Sequence, residues 1–350
     1  MYNNKKIILG LFAAVIFMLS SCKMFKDDKD SSQDSLKDRI INNEEIVVGL
    51  EPDSPPVYYS EGSKKVGFDY ELLQYIVENK LEGVKIRVVE DSYEKLSELL
   101  KSGKIDIMAG GRTEEENDGV LYSRSYLTFG YAIVVNKDDA KKFNNINKLE
   151  GKSIGVYDEF AEEWVRTNIS GAKVSVIGGE EDESTVESDW MKKLVEGEID
   201  AIIYDYPFAT NEIDDYGNKL SISASNINGK DLNKYVLGIN PDNPGAKSFM
   251  SIINGAIKEY KETEAYADAI AKYIPNAGLQ DAEVADVAST RGSSSGHIIK
   301  KGETLSKIAR EHLGDADRWE EVFNLNIDRL ASPEIIYAGQ YLKVPSDWKY

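Results

Sequence analysis

The 350-residue sequence is poor in the side chains that most enzymes and metal sites use. It contains one cysteine, Cys22, and two histidines, His297 and His312. A lone cysteine excludes an intramolecular disulfide and a thiolate metal cage, and two histidines supply little for metal chemistry. The sequence also offers no Ser-His or Cys-His arrangement that would activate a nucleophile. We therefore expect a protein that is not an enzyme and that uses no metal and no cofactor.

Positive charge and long apolar runs are also scarce. The 42 Lys and Arg residues face 61 Asp and Glu residues, which gives a net charge of -19 at pH 7. Nucleic acid would need a basic face to approach its phosphates, and the sequence shows none, so we expect no nucleic-acid partner. The longest apolar run, residues 7–19, falls short of the roughly 20 residues of a membrane-spanning helix.

The N-terminal segment has the pattern of an export signal. Residues 1–21 place Lys5 and Lys6 before the apolar run and end in LSS directly before Cys22. This ending resembles the lipobox of bacterial lipoproteins, in which the signal is removed before the cysteine and that cysteine is acylated. We therefore expect a protein of the bacterial cell envelope that is lipid-anchored to a membrane, with a periplasmic position favoured over the cell surface. Residues 22–43 are charged and are predicted to be a flexible tether.

Two stretches of the chain echo each other. Residues 93–111 and 189–207 each read as a short amphipathic helix, a glycine and an apolar strand that carries Ile-Asp near its start. This repetition predicts two similar α/β lobes with buried parallel strands. Ligands collect beyond the carboxyl ends of such strands, so Gly111, Arg112 and Asp205 are expected to line a shared cleft.

The order of motifs carries a family resemblance. The segments VVGLEPDSPP, VGFDYELL, LLKSGKIDIMAGG, LEGKSIGVY and EGEIDAIIYDYP resemble the family 3 bacterial extracellular solute-binding proteins, which bind amino acids for ABC transporters. The resemblance covers residues 44–277 and implies an α/β, two-lobed periplasmic-binding-protein-like (type II) fold that closes on its ligand by a hinge. Lobe one would comprise residues 44–130 and 236–277, and lobe two residues 131–235.

The C-terminal part of the chain shows a second resemblance. Residues 278–296 are small and polar and are predicted to be a linker, and residues 297–345 resemble a single LysM module. The apolar pattern agrees with a small α+β unit of βααβ order, whose first helix starts at Thr304 and whose second contains Trp319. A flexible linker of this length spans on the order of 25 Å, so the module is expected to swing freely.

The LysM resemblance implies a shallow groove for the N-acetylglucosamine backbone of peptidoglycan or chitin. This groove lies between the loop after the first strand and the loop before the last strand. The matching positions are Gly302, Glu303, Thr304, Leu305, Asn326, Ile327, Pro333, Ile335 and Ile336. Such loops offer backbone donors and acceptors over an apolar floor, which suits a sugar. The alternative is that these positions only build turns and core.

The solute-binding resemblance implies an Arg that holds the ligand's α-carboxylate and an Asp that holds its ammonium group. The Arg position falls on Glu116 in this sequence, whereas the Asp is kept as Asp205. The acidic residue of the first loop is kept as Glu51, and Ser54 replaces the usual aromatic residue. The hydroxyl donors at the start of the lobe-two helix fall near Phe160. These departures remove groups that bind an anion and keep groups that bind a cation.

Three hypotheses for the cleft remain open. In the first, Glu51 and Asp205 form a cation-binding box with aromatic side chains. The candidate aromatic residues are Tyr126, Tyr157 and Phe160. In the second, Arg112 or Arg124 replaces the lost Arg, and an amino acid or a muropeptide fragment binds. In the third, the lobes no longer bind a solute and serve as a scaffold.

Together these features indicate a lipoprotein that binds a small solute, either an amino acid, an amine or a muropeptide fragment, and attaches to peptidoglycan through LysM. One alternative is a receptor for an ABC permease in which LysM is only an anchor. Another is a regulator or relative of the membrane-bound lytic transglycosylases. Those enzymes join a family 3 solute-binding module to a lysozyme-like catalytic domain, at the place where this sequence has LysM.

Overall fold

The computed structural model describes residues 35–115, 118–177, 189–229, 231–275, 296–327, 330, 332–338 and 340–349. The predicted signal peptide, Cys22, Glu116 and nearly all of the predicted linker lie outside these ranges. Within them, no helix is both long enough and apolar enough to span a bilayer.

The described helices are α1 Leu36–Asn43, α2 Phe68–Lys80, α3 Tyr93–Lys101, α4 Glu159–Asn168, α5 Asp189–Val195, α6 Tyr206–Glu212, α7 Ala246–Tyr260, α8 Glu264–Tyr273, α9 Leu305–Leu313 and α10 Trp319–Leu325. The described strands are β1 Glu45–Leu50, β2 Tyr59–Glu61, β3 Lys64–Val66, β4 Lys85–Glu90, β5 Ile107–Met108, β6 Leu121–Tyr122, β7 Leu127–Phe129, β8 Tyr131–Asn136, β9 Ser153–Val156, β10 Lys173–Val176, β11 Ala201–Asp205, β12 Leu220–Ala224, β13 Asn233–Tyr235, β14 Gly238–Ile239, β15 Gly296–Ile298 and β16 Tyr341–Lys343.

Each of the two lobes is built on its own sheet. The lobe-one sheet has the order β4-β1-β5-β14-β6, with β1 parallel to β4 and β5, and the lobe-two sheet has the order β10-β9-β11-β8-β12, with β9 parallel to β10 and β11. The echoed stretches form α3–β5 and α5–β11, and their strands take the middle place in each sheet. This confirms the predicted two-lobed α/β fold, and it puts the residues after β5 and β11 at the carboxyl ends of central strands.

A narrow ribbon joins the lobes. Strand β7 pairs antiparallel with β13, and these strands lie on the two connections that run between the sheets. Gly130 follows β7, and a Cβ atom there would lie 2.4 Å from the Cα atom of Asn226 on the return connection. The two connections therefore cross in contact and require glycine at this point. We call β7, β13 and residues 225–232 the hinge.

The predicted tether is wrong for its last residues. Ser35 caps α1 by accepting a hydrogen bond from the Asp38 backbone N–H, and Leu36 and Ile40 are buried in the lobe-one core. These two side chains are four residues apart, so they lie on one face of a helix turn. That short apolar face is sufficient to pack the segment on lobe one, although its other residues are polar.

The C-terminal module has the predicted βααβ order, with β15 paired antiparallel to β16. Thr304 caps α9 by accepting from the Lys307 N–H, and Gly314 ends it in the left-handed conformation. The expectation that the module swings freely is wrong for this structure, because Ile335 is fully buried in an apolar cluster formed with residues of the two lobes. Linker length limits how far a module can reach, but the apolar surface of the module decides where it stays.

Candidate solute-binding cleft and glycan-binding surface

A buried carboxylate marks the lobe-two wall of the cleft. Asp205 is the last residue of β11, and its Oδ1 accepts a hydrogen bond of 3.1 Å from Asn233 Nδ2 on β13. Burial raises the pKa of Asp205 to about 7, and the neighbouring carboxylate of Asp158 adds to the rise. Asp158 in turn caps α4 by accepting from the Ala161 N–H at 2.8 Å. Two acidic groups thus lie close together, and no basic side chain of the described residues offsets the raised pKa of Asp205.

A second carboxylate faces them from lobe one. Glu51 directly follows β1, and burial raises its pKa, while Arg112 opposes the rise and Glu94 adds to it. Burial also raises the pKa of the Tyr157 hydroxyl, with further contributions from Glu51 and Asp158. Tyr157 belongs to lobe two, so its hydroxyl and the Glu51 carboxylate lie within electrostatic reach across the cleft. The structure therefore brings predicted residues of both lobes to one space.

Neither candidate replacement for the lost Arg is free in the cleft. Arg112 is only 1% exposed, and its guanidinium carbon lies 3.1 Å from the centroid of the Tyr93 ring. Its Nη2 donates to the Tyr93 carbonyl, and its Nε has no hydrogen-bond partner among the described residues. Arg124 lines a different cavity, between lobe one and the C-terminal module. Arg112 is thus buried beside the cleft, although its Nε keeps a donor for an anion that could reach it.

Aromatic rings form the floor beside these carboxylates. The ring of Tyr204 lies 5.4 Å from that of Tyr157 and 5.8 Å from that of Phe208, measured between centroids. Phe160, in the first turn of α4, is 69% exposed. Tyr126 does not belong to this group, because it is buried in the core of lobe one. Tyr204 is likewise buried in the apolar core, and Phe208 packs against that core, so these two rings support Tyr157 from behind.

Ser54 and Gly111 shape the loops at the edge of the cleft. The Ser54 N–H donates to the Tyr58 carbonyl at 2.8 Å and closes the turn after β1. Gly111 has a φ of +71°, and a Cβ atom there would lie 3.5 Å from the Phe208 ring of lobe two. A larger residue would be strained by this positive φ, and its Cβ would make van der Waals contact with the opposite lobe.

Asp69 is a functional residue that the sequence did not identify. Asp69 lies in the first turn of α2, which begins after Gly67, and its carboxylate accepts from the N–H groups of Gly110 and Gly111 at 2.8 and 2.9 Å. The Tyr126 hydroxyl also donates to it, at 2.5 Å. Burial raises the pKa of Asp69 to about 6. Asp69 therefore fixes the glycine loop that follows β5.

Comparison with known proteins agrees with this geometry. Residues 46–276 match the family model of the bacterial extracellular solute-binding proteins, family 3, and residues 297–345 match the LysM domain. The chain belongs to the family 3 bacterial extracellular solute-binding proteins. Both resemblances read from the sequence are confirmed.

Several amino-acid-binding proteins are similar over part of the chain. The arginine-binding extracellular protein ArtP of Bacillus subtilis is 31% identical over 155 residues, which are 44% of this chain and 55% of ArtP. A probable histidine-binding protein of Campylobacter jejuni is 28% identical over 232 residues, 65% of this chain and 84% of that protein. The crystal structure of a mutant of ArgBP from T. maritima aligns with a TM-score of 0.53 and 25% identity, covering 69% of this chain and 100% of that one.

In the LysM domain, three of the predicted glycan-binding residues hold the fold together. Glu303 is buried and accepts from the Lys300 N–H, and it lies 2.8 Å from His297 Nε2. The Asn326 side chain donates to the carbonyls of Val322 and Lys343 and accepts from the Lys343 N–H. Thr304 caps α9. Their side chains are therefore occupied within the domain.

The other predicted glycan-binding residues differ in exposure. Gly302 and Ile327 are partly exposed, whereas the remaining four are buried. The buried ones are Leu305, Pro333, Ile335 and Ile336. A Cβ atom on Gly302 would lie 3.0 Å from Glu264 of lobe one, so this loop faces the solute-binding lobes. In the docked arrangement, the predicted groove is turned towards the rest of the protein.

Proposed function

We propose that this protein is a non-catalytic receptor of the bacterial cell envelope whose cleft binds a cationic amino acid or amine. In this proposal the LysM domain attaches the receptor to peptidoglycan, and Cys22 carries a lipid anchor. The observation that carries the proposal is the convergence of Asp205, Asp158 and Glu51 on one cleft that lacks a free basic side chain among its described residues.

Electrostatics favours a cation at this place. Asp205 and Asp158 repel each other, and an ammonium or guanidinium group between them relieves that repulsion and favours the ionised form of Asp205. Glu51 supplies a further negative charge from lobe one. The exposed rings of Tyr157 and Phe160 offer faces that attract a cation when water is excluded.

The relatives support the ligand class. Two similar proteins are named as arginine-binding and probable histidine-binding proteins, and the aligned T. maritima structure is an ArgBP. The burial of Arg112, which is only 1% exposed, favours the cation-box hypothesis over replacement of the lost Arg. The positive charge that the cleft selects then comes from the side chain of a cationic amino acid or from an amine without a carboxylate.

A thermal-shift screen of the soluble chain that begins at Lys23 tests the ligand class. The panel contains arginine, lysine, histidine, putrescine, glutamine and glutamate. A ligand that binds only the folded state raises the melting temperature. We expect at least one cationic compound to raise it and glutamate to leave it unchanged. Stabilisation by glutamate alone, or by none of the panel, would overturn the proposal for the cleft.

Wall attachment is tested separately by co-sedimentation of the same chain with purified peptidoglycan sacculi. We expect the full chain to pellet with the sacculi, and a chain that ends at residue 277 to stay in the supernatant. Equal sedimentation of both chains would show that LysM is not the attachment.

A further inference from the structure

The LysM domain is held against the hinge by polar contacts. The Glu334 carboxylate accepts from the Thr128 N–H at 3.3 Å, from the Thr128 hydroxyl, and from Lys261 Nζ at 2.6 Å. Thr128 is the middle residue of hinge strand β7, and Lys261 directly follows α7 of lobe one. Glu334 is therefore bound to the hinge and to lobe one together.

The second hinge connection is also in contact with the LysM domain. Asn226 Nδ2 donates to the Ile327 carbonyl at 3.3 Å, and Leu232 packs against the apolar core of the LysM domain. Both residues lie between β12 and β13. The domain thus touches the two connections that must change direction when the lobes open or close.

Apolar burial anchors these contacts. Ile335 is 0% exposed and belongs to an apolar cluster that contains residues of both lobes, and the Tyr337 hydroxyl donates to the Ile274 carbonyl at 2.5 Å. We call Ile327, Glu334, Ile335 and Tyr337 the docking residues. Burial of a side chain such as Ile335 contributes about 1.5–3 kcal/mol, which favours a held arrangement over a loose one.

Docking leaves little room in the predicted glycan groove. A cavity of about 140 Å³ remains between the domains. The LysM residues that line it include Thr304, Leu305, Trp319 and Pro333, and the lobe-one residues include Arg124 and Lys258. Binding sites for small ligands usually measure roughly 300 Å³ or more, so a glycan chain of several sugars does not fit here.

We propose that the docked LysM domain is closed to glycan chains, and that glycan binding requires the docking residues to leave the hinge. This inference rests on the proposed glycan-binding function. Glu334 and Ile327 contact the two hinge connections. Undocking therefore changes how freely the lobes open and close. Linkage is reciprocal, so a solute that alters the lobes alters glycan affinity by the same factor as glycan alters solute affinity.

The Glu334→Ala variant of the soluble full chain tests this proposal, with chitohexaose as the probe. Removing charge-assisted contacts to Thr128 and Lys261 weakens docking, so we expect roughly tenfold tighter binding of chitohexaose. Glu320→Ala is the matched control, since Glu320 is exposed in the first turn of α10 and the change in charge is the same. We expect that control to bind like the wild type.

A second variant leaves the LysM domain unaltered. Thr128→Val removes the hydroxyl donor with little change in shape, and we expect it to tighten chitohexaose binding in the same direction. Small-angle X-ray scattering supplies a readout without glycan, and we expect a larger radius of gyration for both docking variants. Wild-type values for affinity and radius in both would overturn the proposal.

The outcomes also separate this proposal from the proposed function. If no chain binds chitohexaose while Glu334→Ala expands, the glycan-binding function fails and docking stands. If arginine or putrescine binds the wild type, its addition is expected to shift the chitohexaose affinity more than twofold, and to shift it less in Glu334→Ala. An equal shift in both chains would contradict the coupling through the hinge.

Discussion

In the proposed function, the carboxylate of Asp205 decides which charge the cleft accepts. Replacing it by Asn keeps the shape and the contact with Asn233 but removes the negative charge. We expect Asp205→Asn to weaken binding of the best cationic ligand by about 2 kcal/mol, or roughly thirtyfold, in equilibrium dialysis. Asp214→Asn is the control, because Asp214 is exposed in the same lobe. An equal loss in both variants would show a general effect of charge and no specific site.

The raised pKa of Asp205 predicts the pH dependence of binding. With a pKa of about 7 in the free protein, the carboxyl is neutral at pH 6 and ionised at pH 8. A cation binds the ionised form, so its affinity rises about tenfold between pH 6 and pH 8 and then levels off. Calorimetry in two buffers of different ionisation enthalpy should detect proton release at pH 6. Asp205→Asn should remove this dependence, and a flat profile in the wild type would contradict the assignment.

The site residues differ in how well their positions could be predicted from the sequence. Asp205 ends the central strand β11, so its place could be predicted from strand order, whereas Glu51 was assigned from the family resemblance. Asp69 could not be assigned in this way, because its partners Gly110 and Gly111 lie about forty residues further along the chain and only the tertiary fold brings them together. The burial of Arg112 against Tyr93 also depends on packing that no local pattern records.

At the scale of elements, Asp69 joins α2 to the loop after β5. Asp69→Ala leaves two glycine N–H groups and the Tyr126 hydroxyl without their acceptor inside the protein. We expect a loss of about 3 kcal/mol in the free energy of unfolding, measured by urea denaturation. Glu78→Ala on the exposed face of α2 is the control and should change stability by less than about 0.5 kcal/mol. Equal stability of both variants would exclude this role for Asp69.

Asn326 joins α10 to β16 inside the LysM domain. Its three side-chain hydrogen bonds to Val322 and Lys343 are lost in Asn326→Ala. We expect this variant to destabilise the LysM domain by about 2–4 kcal/mol. Faster hydrogen exchange of the α10 amides measures this loss. Asn324→Ala, at an exposed position of the same helix, should leave the exchange unchanged. Unchanged exchange in Asn326→Ala would favour a direct role in glycan contact.

Secondary structure could be predicted where the apolar periodicity was strong. The prediction failed where only a short stretch carried apolar residues. The echoed α3–β5 and α5–β11 units and the βααβ order of LysM have clear patterns and were predicted. The helix α1 was not, because only Leu36 and Ile40 form its buried face within a polar segment. Two apolar side chains are too few to distinguish a packed helix turn from a tether before the surface of lobe one is known.

The arrangement of the whole molecule depends on contacts between distant segments. Two lobes and a LysM domain could be predicted because each has its own motifs. The docking of LysM on the hinge could not, since Glu334 and Thr128 are separated by 206 positions and carry no shared pattern. The linker composition indicates only how far the LysM domain could move. The burial of Ile335 and the contacts of the partly buried Tyr337 determine where the domain lies.

The central claim is that the cleft selects a cation. Isothermal titration of arginine, putrescine and glutamate into the soluble full chain at pH 8 tests it most directly. We expect one-to-one binding of arginine or putrescine and no heat of binding with glutamate. Saturable binding of glutamate, with no binding of either cation, would contradict it.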